Sequence, residues 1–257
     1  MAVEYTEREL MVVVAAREIR DREVVFVGMR LPLLAFALAK RTHAPGAVGL
    51  FENGIIRETP ASELLYTMSD PPNVLGAVFS GGTAEIMALL GQGRVDLGFI
   101  GGAEVDRFGN LNTSYIGDPR RPRVRLPGSG GAADIASLAR RHVIIIPHER
   151  HRFRERVDYV TSPGYGEGGD WRRRVGLPRG GPAAVITTLG VLGFDPETRE
   201  AYLAASFPGA DPETIRRETG WPLRIAPDVR EVPGPSAEEL AIIRGLDPEG
   251  FWTRSAA

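Results

Sequence analysis

The sequence predicts an α/β protein built on an open, mostly parallel sheet, as one continuous domain over residues 1–257. Three observations carry that reading. Val24–Val27, Leu31–Lys40 and Val48–Phe51 follow one another as strand, helix and strand, a βαβ unit whose two strands lie parallel. Further apolar runs of strand length recur at Val95–Ile100, His142–Pro147 and Ala183–Thr188. No internal repeat or low-complexity tract divides the chain.

The elements follow in order. Thr6-Glu7-Arg8-Glu9 is a capping box, and Leu10, Val13, Val14 and Ile19 suit an amphipathic helix to about Arg20. The next helix, to Lys40, has Pro32 in its first turn, where the missing N–H costs nothing. Asn53-Gly54 turns the chain after Phe51, and Ile55-Ile56 resume the apolar run. Residues 57–82 give no clear pattern beyond the break at Pro71-Pro72-Asn73. A helix covers Thr83 to Leu90, and Val95 to Asp106 reads as a buried strand reaching a glycine-rich end. Pro127 to Gly131 is a glycine loop leading into a helix near Ala132. His148 to Arg179 reads as a polar, arginine-rich excursion on the surface or at a subunit contact. Residues 190–206 form a hairpin, Asp211-Pro212 opens a short helix, and Ser236 to Arg244 is the last helix.

Composition sets limits. The chain has 257 residues, 43% hydrophobic and 25% charged, with a formal charge of −2. That balance argues against a general nucleic-acid binder. With no cysteine, thiol chemistry, disulfides and cysteine-ligated metal are excluded. No long uncharged apolar run and no signal-peptide pattern occur, so the expected compartment is the cytoplasm, without membrane contact.

Glu52 is the residue with the strongest claim to chemistry. It ends a buried strand, directly before a sharp turn, and open α/β sheets bind ligands beyond the carboxyl ends of their strands. Burial of an unpartnered carboxylate is costly, so such a residue is paired, used, or turned to solvent. Gly128, Gly130 and Gly131 lie in a loop whose N–H groups suit an anion or oxyanion; a purely structural turn reads equally well from the pattern. His148 and His151 are three apart, but no third ligand has convincing spacing, so no metal site is assigned.

Taken together, several segments resemble the beta subunits of the family I CoA-transferases. They are Gly28-Met29-Arg30-Leu31-Pro32, Phe51-Glu52-Asn53-Gly54, Gly101 to Asp106 with Gly109-Asn110-Leu111-Asn112, Thr113 to Asp118, Gly128 to Gly131, Val157 to Gly164 and Glu218-Thr219-Gly220. The likeness covers nearly the whole chain. It is strongest to the glutaconate branch, although that branch has serine after the glutamate, and Glu52-Asn53-Gly54 looks like the 3-oxoacid branch instead.

The resemblance implies the open α/β fold of that family and Glu52 as a nucleophile that becomes a glutamyl-CoA thioester. It implies an alpha subunit as partner, acyl-CoA and a carboxylic acid as substrates, and no permanently bound cofactor or metal. The chemistry adds an oxyanion requirement. Gly130 and Gly131 are the first candidates to meet it, with Gly128 in the same acyl-CoA-binding loop and Asn53 as a weaker donor. Two alternatives remain on sequence: an acyl-CoA ester hydrolase on the same scaffold, and a non-catalytic protein binding a phosphorylated ligand through the glycine loop.

Overall fold

The computed structural model describes residues 4–177 and 179–254. The chain forms two compact units, one holding the residues up to Phe99 together with those from Gly234 on, the other Ile100–Pro233.

In the first unit, Thr6 caps α1 (Glu7–Arg17): its hydroxyl accepts the Glu9 N–H at 3.1 Å, and the Glu9 carboxylate accepts the Thr6 N–H at 2.8 Å. The expected amphipathic helix is instead buried along Glu9–Ala16. Glu9 is buried with it because Arg244, from the C-terminal helix Ala237–Leu246, pairs with it at 2.7 Å. The last helix, expected from about Ser236, opens on a second capping box with Ser236 as its cap. The chain continues through β1 (Val24–Phe26), α2 (Leu31–Arg41), β2 (Val48–Phe51), β3 (Ile55–Arg57), the single turn α3 (Pro71–Val74), β4 (Phe79–Ser80), α4 (Thr83–Gly91) and β5 (Leu97–Ile100). Strand order is β5-β1-β2-β3-β4. The expected parallel sheet is its centre, β5-β1-β2; β3 and β4 return antiparallel. Phe36 of α2 packs onto β2 at Gly49, where a Cβ would lie 2.7 Å from its ring.

The second unit departs from the sequence reading at its start. The run to Asp106 is not one strand: after β5 the chain turns at Gly101-Gly102, and β6 (Glu104–Asp106) joins β7 (Leu111–Asn112) and β11 (Phe153–Arg154) in a separate sheet, order β11-β6-β7. A ribbon follows, β8 (Tyr115–Asp118) with β9 (Arg121–Arg125), then α5 (Ala132–Leu138) and β10 (Arg141–Ile145). Beyond α6 (Trp171–Arg174), β12 (Pro182–Ile186) pairs parallel with β10. The predicted hairpin is β13 (Gly190–Phe194) with β14 (Ala201–Ser206), and β15 (Arg224–Glu231) adds parallel to β14 after α7 (Pro212–Arg217). Strand order here is β15-β14-β13-β12-β10.

The arginine-rich segment is not a surface excursion throughout. Phe153, Val157, Ser162, Tyr165 and Arg172 are all buried. The Arg172 guanidinium donates to the carbonyls of Gly164, Ala136 and Arg179, so its charge is satisfied by backbone. Among the described residues no helix is long and apolar enough to cross a membrane.

Candidate active site

Glu52 stands half-buried directly after β2. The turn that carries it is fixed by Gly54. Its φ of +104° is a left-handed value, and its N–H donates to the Phe51 carbonyl at 3.0 Å. The Gly54 carbonyl receives the Gly81 N–H at 2.9 Å, and a Cβ on Gly54 would come within 2.1 Å of the Gly81 oxygen. Any larger residue is therefore opposed twice, by conformation and by space. The consequence is an acid held in one place at the carboxyl end of a central parallel strand.

The stretch 57–82, unreadable from sequence, braces this turn. Arg57 ends β3 at 3% exposure, and its Nη1 donates to the carbonyls of Pro72 (3.0 Å), Asn73 (2.6 Å) and Leu75 (2.7 Å), its Nε to that of Thr59 (2.9 Å). One buried cation thus gathers the loop's carbonyls, and desolvation lowers its pKa. The loop then returns to the acid's neighbour: the amides of Asn53 and Asn73 both donate to the Met68 carbonyl at 2.7 Å. Asn53, expected as a weak oxyanion donor, directs its amide to that carbonyl. Sequence reasoning missed Arg57. A charged residue closing the apolar run Ile55-Ile56, just before Thr59-Pro60, was the available signal.

The glycine loop lies in the second unit. Gly128 has φ +98° and Gly130 φ +48°, both left-handed, while Gly131 is right-handed and caps α5. The Gly128 N–H donates to the Thr113 carbonyl at 2.8 Å, and the Ala132 N–H to Ser129 at 3.0 Å. Gly128 therefore shapes the loop.

The other sequence segments of interest have structural work. Asp106 is 3% exposed and accepts the N–H groups of Phe108 (2.9 Å) and Asn110 (3.0 Å) and both contacts of the Asn110 amide. Asn110 in turn accepts the N–H groups of Gly164 (2.9 Å) and Gly166 (3.1 Å). Burial pushes Asp106 up to about 6, against the pull of Asn110 and the backbone donors. Glu104 receives the Asn112 amide at 2.8 Å and the Asp158 N–H at 3.1 Å. These acids hold the segment from 158 to 166 in place. His148 is buried against Phe153, its ring nitrogens 3.2 Å and 3.1 Å from the hydroxyls of Thr187 and Thr219, and burial lowers it to about 4. His151 is exposed beside Glu149, so the two histidines do not converge. Among the described residues no cluster of three or more such side chains could hold a metal ion.

The site and fold meet a known family. The coenzyme A transferase profile matches residues 8–218. The beta subunit of 3-oxoadipate CoA-transferase from Pseudomonas knackmussii is 40% identical over 244 residues, covering 95% of this chain and 94% of the relative. The beta subunit of glutaconate CoA-transferase from Acidaminococcus fermentans is 38% identical over 256 residues, covering 95% and 93%. The crystal structure of glutaconate CoA-transferase from the same organism superposes with a TM-score of 0.91 at 33% identity, over 98% of this chain and 99% of that one. The chain belongs to the coenzyme A transferase family, among its beta subunits.

Proposed function

We propose that this chain is the beta subunit of a cytoplasmic enzyme that moves CoA between an acyl-CoA and a free acid, through a covalent thioester on Glu52. The observation that carries the proposal is the braced Glu52 turn at the carboxyl end of β2. A carboxylate suits this reaction because it can itself become an activated acyl group. The Glu52 carboxylate attacks the thioester carbonyl, giving a mixed anhydride and CoA thiolate. The thiolate then attacks the Glu52 carbonyl, releasing the first acid and leaving glutamyl-CoA. The acceptor acid attacks that thioester, expelling CoA thiolate and forming a new anhydride. Attack of the thiolate on the acceptor's carbonyl yields the new acyl-CoA and restores Glu52. Each attack develops an oxyanion, toward which hydrogen-bond donors must already be aimed.

Both acids that name the relatives, 3-oxoadipate and glutaconate, carry two carboxylates, and the substrates proposed here are of that class. A companion alpha subunit completes the enzyme. Its contact falls on the stretch beyond the Glu52 turn, where Tyr66, Val74, Leu75, Val78 and Phe79 are exposed by 40–72%. Such a concentration of apolar side chains suits a permanent interface.

The test is to combine this chain with its alpha subunit and follow CoA transfer between acids. Turnover that requires the acceptor acid and is lost in Glu52→Gln supports transfer. CoA release at the same rate without an acceptor acid would establish the hydrolase reading instead.

A further inference from the structure

The geometry points to Arg30 as a specificity-determining residue that pairs with the carboxylate of the acyl group remote from the thioester. This rests on the Glu52 reading above and goes beyond it. Arg30 precedes α2 with φ 68° and ψ −121°, values that glycine adopts freely and other residues rarely do. Ordinary packing does not explain an arginine there, since the side chain is exposed. Strain of this kind persists where the surroundings impose it, often at functional sites.

Two routes bring Arg30 to the Glu52 end of the sheet. In the parallel register Phe26 lies beside Leu50, and the Val27 N–H donates to the Leu50 carbonyl, so Gly28 leaves β1 abreast of Glu52. Arg30 follows two residues later, at the same end of the sheet as Glu52. The second route is through side chains. The Arg30 guanidinium lies over the Trp252 ring, 5.7 Å from its centroid. Trp252 is fixed by its indole N–H to the Leu65 carbonyl at 2.9 Å and its backbone N–H to Asp247 at 2.9 Å. Leu65 opens the loop whose Met68 carbonyl takes the Asn53 amide. A ring face orients the cation without neutralising it, and among the described residues no carboxylate pairs with Arg30. A positive charge at the same end of the sheet as Glu52, and not paired with a carboxylate among the described residues, fits a planar anion, which guanidinium binds by paired hydrogen bonds.

The test uses the assembled alpha–beta enzyme, with glutaryl-CoA as the dicarboxylic probe and butyryl-CoA as the monocarboxylic one. Arg30→Gly should lower kcat/KM for glutaryl-CoA by about 10–100-fold, mostly through KM, and change that for butyryl-CoA less than about threefold. Its Tm should not fall, because glycine relaxes the backbone at this φ, so a lost preference cannot be lost folding. Arg30→Lys should recover part of the preference. Equal losses on both thioesters, as for a cation serving the CoA phosphates, would overturn the assignment; so would unchanged selectivity. Failure of the Glu52 reading is separately visible, since Arg30→Gly must still acquire CoA on Glu52 from butyryl-CoA.

Discussion

Two turns in this chain have nearly the same local design and different surroundings. At 51–55 and at 105–111 a short strand ends near an acid, the chain reverses through a left-handed glycine beside an asparagine, and an antiparallel strand returns. In the second turn the Asn110 amide folds onto Asp106, which is thereby consumed as a joint. In the first, the Asn53 amide is drawn away to the Met68 carbonyl, and Glu52 stays half-buried at the end of a parallel strand. The two amides thus have different destinations, the neighbouring acid in one turn and a loop carbonyl in the other. The difference lies outside the turn itself, in the Arg57-gathered loop that supplies Met68.

That contrast breaks most sharply at the acids. Glu52→Gln should lower transfer by about 10⁴-fold or more, because the amide is a poor nucleophile, with Tm nearly unchanged. Gly54→Val comes next: strain and the clash with Gly81 should displace Glu52 and reduce kcat by about 100-fold, with a clear loss of Tm. Asp106→Asn should do the reverse of Glu52→Gln, costing about 2–4 kcal/mol in denaturant unfolding while folded enzyme keeps its turnover. Asp106 also has a pH signature. Its folded pKa, about 6, lies above the unfolded 3.8, so its contribution is full below about pH 4 and lost as pH rises through 6.

The smallest effect sharpens the sign of that dependence. His142 on β10 is fully buried, both its ring nitrogens lacking hydrogen-bond partners among the described residues, and burial, with Arg172 nearby, lowers it from 6.5 to about 3. A depressed histidine contributes stability above its unfolded pKa and loses it as pH falls toward 3. His142→Phe should therefore flatten the acid limb by about 2 kcal/mol at pH 5 relative to pH 7. Chemical denaturation across pH 4–7 reads both slopes, which run in opposite directions between about pH 4 and 6.

Much of this was legible in sequence where the signal is local. The box at Thr6, the βαβ start and the Asn53-Gly54 turn are written in adjacent residues and fold as read. The family segments were legible as well, but not their contacts: Gly109 to Asn112 and Val157 to Gly164 are hydrogen-bonded to one another. The loop 57–82 was opaque because a buried arginine organises it by collecting backbone carbonyls, which leave no side-chain pattern. The break of the run before Asp106 was missed because apolar periodicity does not say which sheet a strand joins. Arg172 lay in a segment read as a surface excursion or a subunit contact, because the backbone carbonyls it gathers leave no side-chain pattern.

The most direct measurement is to find where CoA becomes attached. The assembled enzyme is incubated with acyl-CoA in the absence of acceptor, treated with borohydride to reduce a protein thioester to the alcohol, digested, and read by mass spectrometry. One altered peptide is expected, with the reduced residue at Glu52, and none from Glu52→Gln. Reduction at another carboxylate, such as Glu85 or Glu104, or no reduced residue in an enzyme that still transfers CoA, would contradict it.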